Sequence, residues 1–225
     1  MAFSPNEPLP DPLQVQLVPG QPMPEAWARW FKAIDRVRGA FNSTSDLTAA
    51  VAGKQTIWVP AGAMTPRVTN GPSVGATENA YVIQNNGLDF DPNTAEYAQF
   101  IVAMPKSWDK GAISARFYWT HPATTTNFSV LWYLDGQSIG DAESLDFTWT
   151  GGSAAVAGDV GGAANTLYIS GGSSDLIVGG TPATEELIYF IVYRGAGNAT
   201  YDTLAVDARL LGVRLLYTTN ALNDT

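Results

Sequence analysis

Cysteine is absent from the 225-residue sequence, and histidine occurs only once, at His121. The absence of cysteine excludes disulfides, thiolate zinc sites and a cysteine nucleophile. A lone histidine has no second imidazole with which to build a usual zinc or iron site, and no Gly-x-Ser-x-Gly elbow accompanies it. We therefore interpret His121 as a structural or surface residue, and we expect neither a cofactor nor a catalytic centre.

Charged residues are scarce, at 15%, and the 21 acids outnumber the 12 bases to give a net charge of −9. No Lys or Arg lies between Arg116 and Arg194. Such a surface repels phosphate backbones and anionic lipids, so neither nucleic acid nor a membrane surface is an expected partner. The sequence also lacks a readable signal peptide and an apolar run of about 20 residues, which predicts cytoplasmic synthesis without membrane insertion.

Proline is concentrated at the N-terminus, where residues 1–24 hold seven of the fourteen prolines. Proline fixes φ and removes a backbone donor, so this segment is predicted to be an extended, polyproline-like arm. Aliphatic residues alternate with the prolines, which favours an arm that lies in a groove of another protein. A disordered tail is the alternative.

Residues 25–53 are predicted to form an amphipathic helix and stalk, because Pro24 and Glu25 suit a helix N-terminus. Five apolar residues follow at spacings of three and four, which makes a two-heptad stripe. The stripe is too short to be stable alone, so it has to pack on sister helices or on the chain's own domain. We predict oligomerisation or docking through these residues: Trp27, Trp30, Ile34, Val37 and Phe41.

Residues 54–225 show alternation of period two with Gly, Asn and Pro punctuation, which is typical of β-strands. The pattern predicts an antiparallel β-sandwich, with a jelly roll favoured. The nine glycines of the stretch 151–180 are interpreted as flexible surface loops, and a bulge or corner is expected near Ala208–Leu210. The predicted strands are Thr56–Val59, Ala80–Gln84, Tyr97–Met104, Ala112–Thr120, Asn127–Leu134, Leu145–Trp149, Thr166–Ser170, Asp175–Val178, Glu186–Arg194 and Leu204–Tyr217.

One segment, Asp89-Phe-Asp91-Pro-Asn93, begins like a calcium-binding loop. An EF-hand requires Gly at its sixth position and Glu at its twelfth, where this sequence has Thr94 and Phe100. Asp-Pro-Asn is strong turn chemistry, so we predict a turn, with a looser calcium site as the alternative.

Aromatic rings are the remaining binding candidates, because a ring offers an apolar plane with a polar edge. Trp119 and Trp132 fall within predicted strands and are expected in the core. Trp108 and Trp149 flank predicted loops, which makes them the candidates for stacking on a glycan.

The acidic cluster Asp141, Glu143 and Asp146 provides paired carboxylates, which glycoside hydrolysis uses. The cluster falls in a polar connection where solvated acids are ordinary. A polysaccharide hydrolase is therefore kept only as a minor alternative.

Three stretches of the sequence resemble virion proteins of bacteriophages and of phage-like gene transfer agents of alphaproteobacteria: 94–108, 111–120 and 202–219. The resemblance spans roughly residues 56–222, and the arm and helix also resemble the anchoring ends of short phage fibres. It implies a homo-oligomeric virion fibre or spike, commonly a trimer, whose arm of residues 1–24 inserts among other virion proteins. The sandwich would then project outward and bind host-surface polysaccharide. A decoration or connector protein without a receptor role is the alternative.

Overall fold

The computed structural model describes residues 28–32, 53–122, 127–150 and 152–221. The chain divides into two units, residues 1–51 and 52–225. In the first unit, residues 28–32 are helical, and the rings of Trp30 and Phe31 meet edge to face with centroids 5.2 Å apart. The arm and the other four stripe residues, Trp27, Ile34, Val37 and Phe41, lie outside the described residues. Within the described ranges, no helix is both long and apolar enough to cross a membrane.

The second unit is a sandwich of two antiparallel sheets, which confirms the predicted fold class. Sheet A has the strand order β3-β4-β11-β6-β9, and β1 also pairs with β11; sheet B has the order β2-β5-β10-β7-β8. The strands are β1 (Lys54–Pro60), β2 (Thr65–Pro66), β3 (Ser73–Glu78), β4 (Gln84–Phe90), β5 (Tyr97–Ala103), β6 (Ser114–Thr120), β7 (Phe128–Ile139), β8 (Ala155–Gly161), β9 (Tyr168–Ile169), β10 (Leu187–Arg194) and β11 (Ala208–Thr218).

The chain changes sheet at every connection between strands except β3–β4 and β7–β8. This repeated crossing is the jelly-roll-like feature of the fold, because strands that follow one another in sequence mostly face each other across the core. β11 pairs with β6 along one side, and with β4 and then β1 along the other. β10 lies between β5 and β7.

The core lies between the two sheets and is rich in aromatic rings. Trp132 on β7 stacks on Phe117 of sheet A at 5.8 Å and meets Phe90 edge to face at 5.4 Å. Trp119 is also fully buried, so the expectation that Trp119 and Trp132 belong to the core is confirmed. The alternating residues of β7 behave as predicted, since Phe128, Val130, Trp132 and Leu134 are all buried.

β10 is apolar on both faces, which is typical of a central strand or of one covered by a neighbouring subunit, and in sheet B it lies between β5 and β7. Its inward residues Ile188, Phe190 and Val192 are buried. Its outward residues include Tyr189 and Tyr193, which are partly exposed on the outer face of sheet B. That face is therefore more apolar than the solvated face of an ordinary sandwich.

A β-bulge interrupts the pairing of β11 with β6 between Leu210 and Gly212. Before it Leu210 points into the core, and after it Val213 and Leu215 do. The bulge confirms the predicted change of face, although it lies slightly beyond Ala208–Leu210. Its consequence is that Gly212 and Arg214 both belong to the outer face of sheet A.

Of the predicted strand Ala80–Gln84, only Gln84 belongs to a strand, as the first residue of β4. Residues 80–83 form a turn, in which Asn79 Oδ1 accepts from the backbone N–H groups of Tyr81 and Ile83. Val82 adopts a left-handed φ of 63°, which a strand does not allow. The strands on either side, β3 and β4, are built mainly from small and polar residues whose hydrophobic alternation is weak.

The interpretation of the glycines of 151–180 as surface loops is wrong for Gly158 and Gly161, which belong to β8, whereas β9 lies within the predicted strand Thr166–Ser170. Gly161, the last residue of β8, has to be glycine because a Cβ there would collide with the ring of Phe128, its partner in the register. Leu145–Trp149 is not a strand, and Asp175–Val178 forms only isolated bridges.

A buried ion pair joins the two sheets at one end of the sandwich. Arg194, on β10, is 1% exposed, and its Nε and Nη2 donate to the two carboxylate oxygens of Asp202 at 2.9 and 2.6 Å. Its Nη1 donates to the carbonyls of Phe90 and Val206 at 3.1 and 2.8 Å, and Nη2 also donates to that of Leu204. All five guanidinium donors therefore have an acceptor.

We predict that Arg194→Met destabilises the intact chain by about 3–5 kcal/mol, because it leaves Asp202 as a buried charge without its counter-ion. Chemical denaturation measures this loss. Lys106→Met is the matched control: it removes an exposed ion pair to Glu185 of 2.9 Å, and it is expected to cost less than about 1 kcal/mol. Equal losses in the two variants would contradict the assigned role of Arg194.

Candidate functional site

Trp108 is not available to stack on a glycan. Its side chain is 2% exposed and belongs to the core. A turn in which Trp108 N–H donates to the Pro105 carbonyl, and a bridge to Thr219, direct the residue inward. Proximity to a loop is therefore a poor guide to exposure, and the structure removes this candidate.

Trp149 is partly exposed and lies on the outer face of sheet B. Its Nε1 donates to Asp135 Oδ2 at 3.1 Å, and Asp135 is an outward residue of β7. The next residue, Thr150, donates from both its backbone N–H and its hydroxyl to Gln137 Oε1, at 3.2 and 2.9 Å. These side-chain bonds, rather than strand pairing, hold the end of the segment 140–150 against β7.

Phe147 extends this surface toward the middle of the sheet. Its ring lies 6.2 Å from that of Trp149 and meets Tyr189 of β10 edge to face at 5.5 Å. The three rings form a continuous apolar area whose members fix one another's orientation.

A ladder of tyrosines crosses the same face at Tyr193, beyond Tyr189 and Ile191 along β10. Tyr97, Tyr193 and Tyr133 are direct cross-strand partners on β5, β10 and β7. Tyr193 stacks on Tyr133 at 4.9 Å with nearly parallel planes and lies 5.3 Å from Tyr97, whose ring also carries the guanidinium of Arg67 at 4.9 Å. Because the ring faces contact one another, the ladder is a rigid support and not a set of free stacking faces.

A cleft of about 440 Å³ opens beside Phe147, where segment 140–150 turns back over the end of β7. Its size is within the range typical of small-molecule sites. The lining combines one aromatic ring with amide, hydroxyl and carboxylate groups, and includes Phe147, Gln137, Thr148, Thr150, Thr181, Glu143 and Glu186. We call this the sheet B cleft.

The two carboxylates of the sheet B cleft lie on either side of Gly140. Glu143 Oε2 accepts from the Gly140 N–H at 2.8 Å. Glu186 packs so closely that a Cβ at residue 140 would lie 2.7 Å from its Oε1. Glu186 Oε2 accepts from the Ala183 N–H at 2.9 Å. Backbone donors thus fix one oxygen of each carboxylate.

The other acids singled out from the sequence, Asp141 and Asp146, are exposed and do not belong to the lining described for the sheet B cleft. Of the acidic cluster, the structure brings only Glu143 into the cleft, and it adds Glu186, which no local pattern marks. Within the described residues, no group of three His, Asp or Glu side chains is arranged to hold a metal ion.

Asp91 forms the predicted turn: its Oδ1 accepts from the N–H groups of Asn93 and Thr94, both at 2.7 Å. Those bonds hold the pKa of Asp91 below its usual value. His121 is 1% exposed between Phe128 and Tyr168, which agrees with a structural role. Burial lowers the pKa of His121, an effect that the backbone of Gly162 partly opposes.

Trp58 is an exposed aromatic that is not among the residues predicted to bind a glycan. It lies on the outer face of sheet A, is 47% exposed, and meets Tyr118 edge to face at 4.8 Å. The available signal is its alternation with Ile57 and Val59 in a predicted strand, which assigns the tryptophan to the outer face. Phe147, by contrast, is brought to the sheet B cleft by a long connection, so no local pattern marks it.

No protein-family model and no curated protein matches this chain. Among solved structures, it is similar to the CBM36-1 domain of a multidomain xylanase from the hindgut metagenome of Trinervitermes trinervoides, at 12% identity over 72% of this chain and 96% of that chain, with a TM-score of 0.36. It is also similar to TmCBM61 in complex with beta-1,4-galactotriose, at 10% identity over 70% of this chain and 86% of that chain, with a TM-score of 0.33. At TM-scores below 0.5 neither likeness carries an argument about fold or ligand.

The tyrosine ladder generates a prediction about ionisation. Burial, and then the neighbouring Asp135, Tyr133 and Tyr97, raise the pKa of Tyr193 from its ordinary value of 10.0 to about 12. The fold therefore favours the neutral phenol. The contribution of Tyr193 to the free energy of unfolding is complete below pH 10 and is lost as the pH rises through about 12. In an ultraviolet titration of the folded protein, the Tyr193→Phe variant should lack only the phenolate absorbance that appears near pH 12 in the unmodified chain.

The control for this titration is the chemically unfolded protein, in which the same variant should lose absorbance near the ordinary tyrosine pKa of 10.0. If the absorbance missing from the folded Tyr193→Phe variant is instead that which appears near pH 10, the pKa of Tyr193 is not raised and the desolvated ladder is not present in solution.

Proposed function

We propose that this chain is a non-catalytic attachment protein whose β-sandwich binds a saccharide in the sheet B cleft. The single observation on which the proposal rests is the lining of that cleft, where Phe147 forms an apolar wall among hydroxyl, amide and carboxylate groups. A sugar ring has the complementary chemistry, since it presents an apolar C–H face and a rim of hydroxyls. Specific ligand sites generally combine an apolar surface with a few fixed polar groups in this way.

The polar groups of the sheet B cleft are held before any ligand arrives. Gln137 is bonded to Thr150, and Glu143 and Glu186 accept from backbone N–H groups. Phe147 is braced by Trp149 and Tyr189. Groups that are already ordered lose little entropy on binding, so a weakly hydrophobic ligand can be retained.

Charge narrows the class of saccharide for this cleft. The chain carries a net charge of −9, and the cleft itself holds two carboxylates. An acidic polymer would be repelled there, so the proposed ligand of the sheet B cleft is a neutral or amino sugar.

The biological setting that we propose is a virion fibre or spike, and its support comes from the sequence. The resemblance to phage and gene-transfer-agent virion proteins, the proline-rich arm and the stripe of Trp27, Trp30, Ile34, Val37 and Phe41 all favour a homo-oligomer, with a trimer preferred. In this setting residues 1–24 anchor the chain to other virion proteins and the sandwich binds host-surface polysaccharide. A decoration or connector protein is the alternative.

The saccharide proposal is tested by screening the intact chain on an array of neutral and amino-sugar oligosaccharides, followed by calorimetry on the best ligand. Phe147→Ala should weaken binding by roughly tenfold or more, because it removes the aromatic wall. Leu145→Ala is the matched control, since Leu145 lies on the same segment, is 71% exposed and is not part of the described lining. The control should bind as the unmodified chain does.

Three results would count against this proposal. An absence of binding to every neutral and amino-sugar ligand would favour the decoration or connector alternative. Equal losses in the Phe147 and Leu145 variants would place the ligand elsewhere. Cleavage of the bound oligosaccharide, detected by chromatography, would favour the hydrolase alternative, with Glu143 and Glu186 as its carboxylates.

The oligomer is tested by light scattering on the intact chain. Ile34→Asp places a charge in the predicted stripe and is expected to dissociate the oligomer, whereas Lys32→Asp, off the stripe, is expected to leave it intact. An intact chain that is already monomeric would contradict the fibre proposal.

A further inference from the structure

Two arginines face each other on the outer face of sheet A, and no ion pair among the described residues includes either of them. Arg116 on β6 and Arg214 on β11 are direct partners in the antiparallel register, and both are exposed. Like charges directly opposite each other destabilise a sheet. The ion pairs found in the described part of the chain are Lys106–Glu185, Arg194–Asp202 and Arg209–Asp89.

Trp58 extends the same cross-strand row on the other side of β11, because it is the register partner of Arg214. Its ring lies over Gly212, where any Cβ would collide with the indole. Its contact with Tyr118, and the guanidinium of Arg214 at 5.2 Å from the Tyr118 ring, hold the row together. We call the surface formed by Trp58, Tyr118, Arg116 and Arg214 the arginine–tryptophan surface.

This surface has the opposite charge from the protein as a whole. The chain has a net charge of −9, yet here two arginines are register partners on adjacent strands, whose backbones lie about 4.8 Å apart. Two neighbouring guanidinium groups can donate to one carboxylate with charge-assisted hydrogen bonds. An anionic group placed between them would remove their mutual repulsion, whereas the folded chain supplies no such group from its described residues.

The chemistry of the occupant follows from combining the two observations. The arginine pair fits a single carboxylate, and the exposed ring of Trp58, one strand away, fits the apolar face of a ring attached to it. A nucleic acid is a poor fit, because its closely spaced phosphates would also meet the acidic remainder of the chain.

We propose that the arginine–tryptophan surface binds an acidic sugar residue of the uronic-acid class, with its carboxylate between Arg116 and Arg214 and its ring on Trp58. This second site is separate from the sheet B cleft, which is lined by carboxylates and takes a neutral or amino sugar. The sandwich then has two glycan-binding surfaces of opposite charge preference, one on each sheet.

The test uses calorimetry on the intact chain with an oligomer of uronic acids and with the same oligomer after reduction of its carboxyl groups to alcohols. The uronic-acid oligomer should bind at least about tenfold more tightly than the reduced one, and its affinity should fall as salt is added. Arg116→Gln and Arg214→Gln should each weaken binding by about tenfold or more. Lys110→Gln is the matched control, because it removes one exposed positive charge elsewhere and should change affinity less than about twofold.

A stability measurement separates a binding role from a structural one. Because the arginine pair is repulsive, Arg116→Gln should leave the denaturation midpoint unchanged or raise it while binding is lost. Trp58→Ala, which removes the exposed ring, should weaken binding of the uronic-acid oligomer without affecting the neutral ligand of the sheet B cleft. Phe147→Ala should do the reverse, so failure of either site can be recognised independently of the other.

The proposal is overturned if the carboxyl-reduced oligomer binds as tightly as the acidic one, or if the arginine variants bind like Lys110→Gln. A sulfated oligomer of equal length or a single-stranded oligonucleotide that binds more tightly than the uronic-acid oligomer would also overturn it. So would a loss of stability in Arg116→Gln equal to that caused by Arg194→Met.

Discussion

The sandwich depends on one fully bonded guanidinium at the end of its core. Arg194 belongs to sheet B, while its acceptors lie on β4 of sheet A and in the connection that leads into β11. Its counter-ion, Asp202, also accepts from the Leu131 N–H of β7 at 3.1 Å, so one ion pair links four parts of the chain. A buried charge is tolerated only when every donor is satisfied, which fixes the geometry of these parts relative to one another. β10 carries Tyr189 and Tyr193 on one outer face, and β11 carries Gly212 and Arg214 on the other. The Arg194–Asp202 ion pair therefore helps to position both outer faces.

The two outer faces are specialised in opposite ways. On sheet B, tyrosines in register brace one another, and a long connection bonded to Asp135 and Gln137 adds Phe147 and Trp149 beside a cleft with two carboxylates. On sheet A, the bulge in β11 places Gly212 and Arg214 outward, so that a tryptophan can lie over the strand next to two guanidinium groups that face each other. Neither arrangement helps the core, and the arginine pair opposes stability.

Sequence periodicity predicted the parts of the fold that depend on local alternation. β5, β6, β7 and β10 alternate or carry continuous apolar residues, and their existence, the central position of β10 and the burial of Trp119 and Trp132 follow from that pattern. The failures have two causes: a side chain bonds the neighbouring backbone into a turn at one place, and longer-range contacts decide at the other. Residues 80–83 are apolar enough for a strand, yet Asn79 caps them as a turn. β8 contains glycines that a loop would also have, and at Gly161 the Phe128 ring occupies the space that a side chain would fill.

The candidate sites were predicted less well, because they depend on longer-range contacts. Trp108 and Trp149 both flank polar connections, yet Trp108 folds into the core and Trp149 is partly exposed. Glycan binding by Trp149 stays a prediction. Glu186, Phe147 and the register that brings Arg116 opposite Arg214 could not be read from spacing, since each depends on which strands become neighbours. Trp58 was the one missed residue with a local signal, and its alternation with more buried neighbours marks an outward position. The sequence pattern does not specify how the chain crosses between the two sheets, and this crossing decides which distant segments become neighbours.

The central claim is that the sheet B cleft binds saccharide without cleaving it. A crystal structure of the intact chain with its best neutral or amino-sugar oligosaccharide tests this claim most directly. The account predicts a sugar ring against Phe147, hydroxyls hydrogen-bonded to Glu143 or Glu186, and unbroken glycosidic bonds. An oligosaccharide bound elsewhere on the sandwich, or found cleaved, would contradict it.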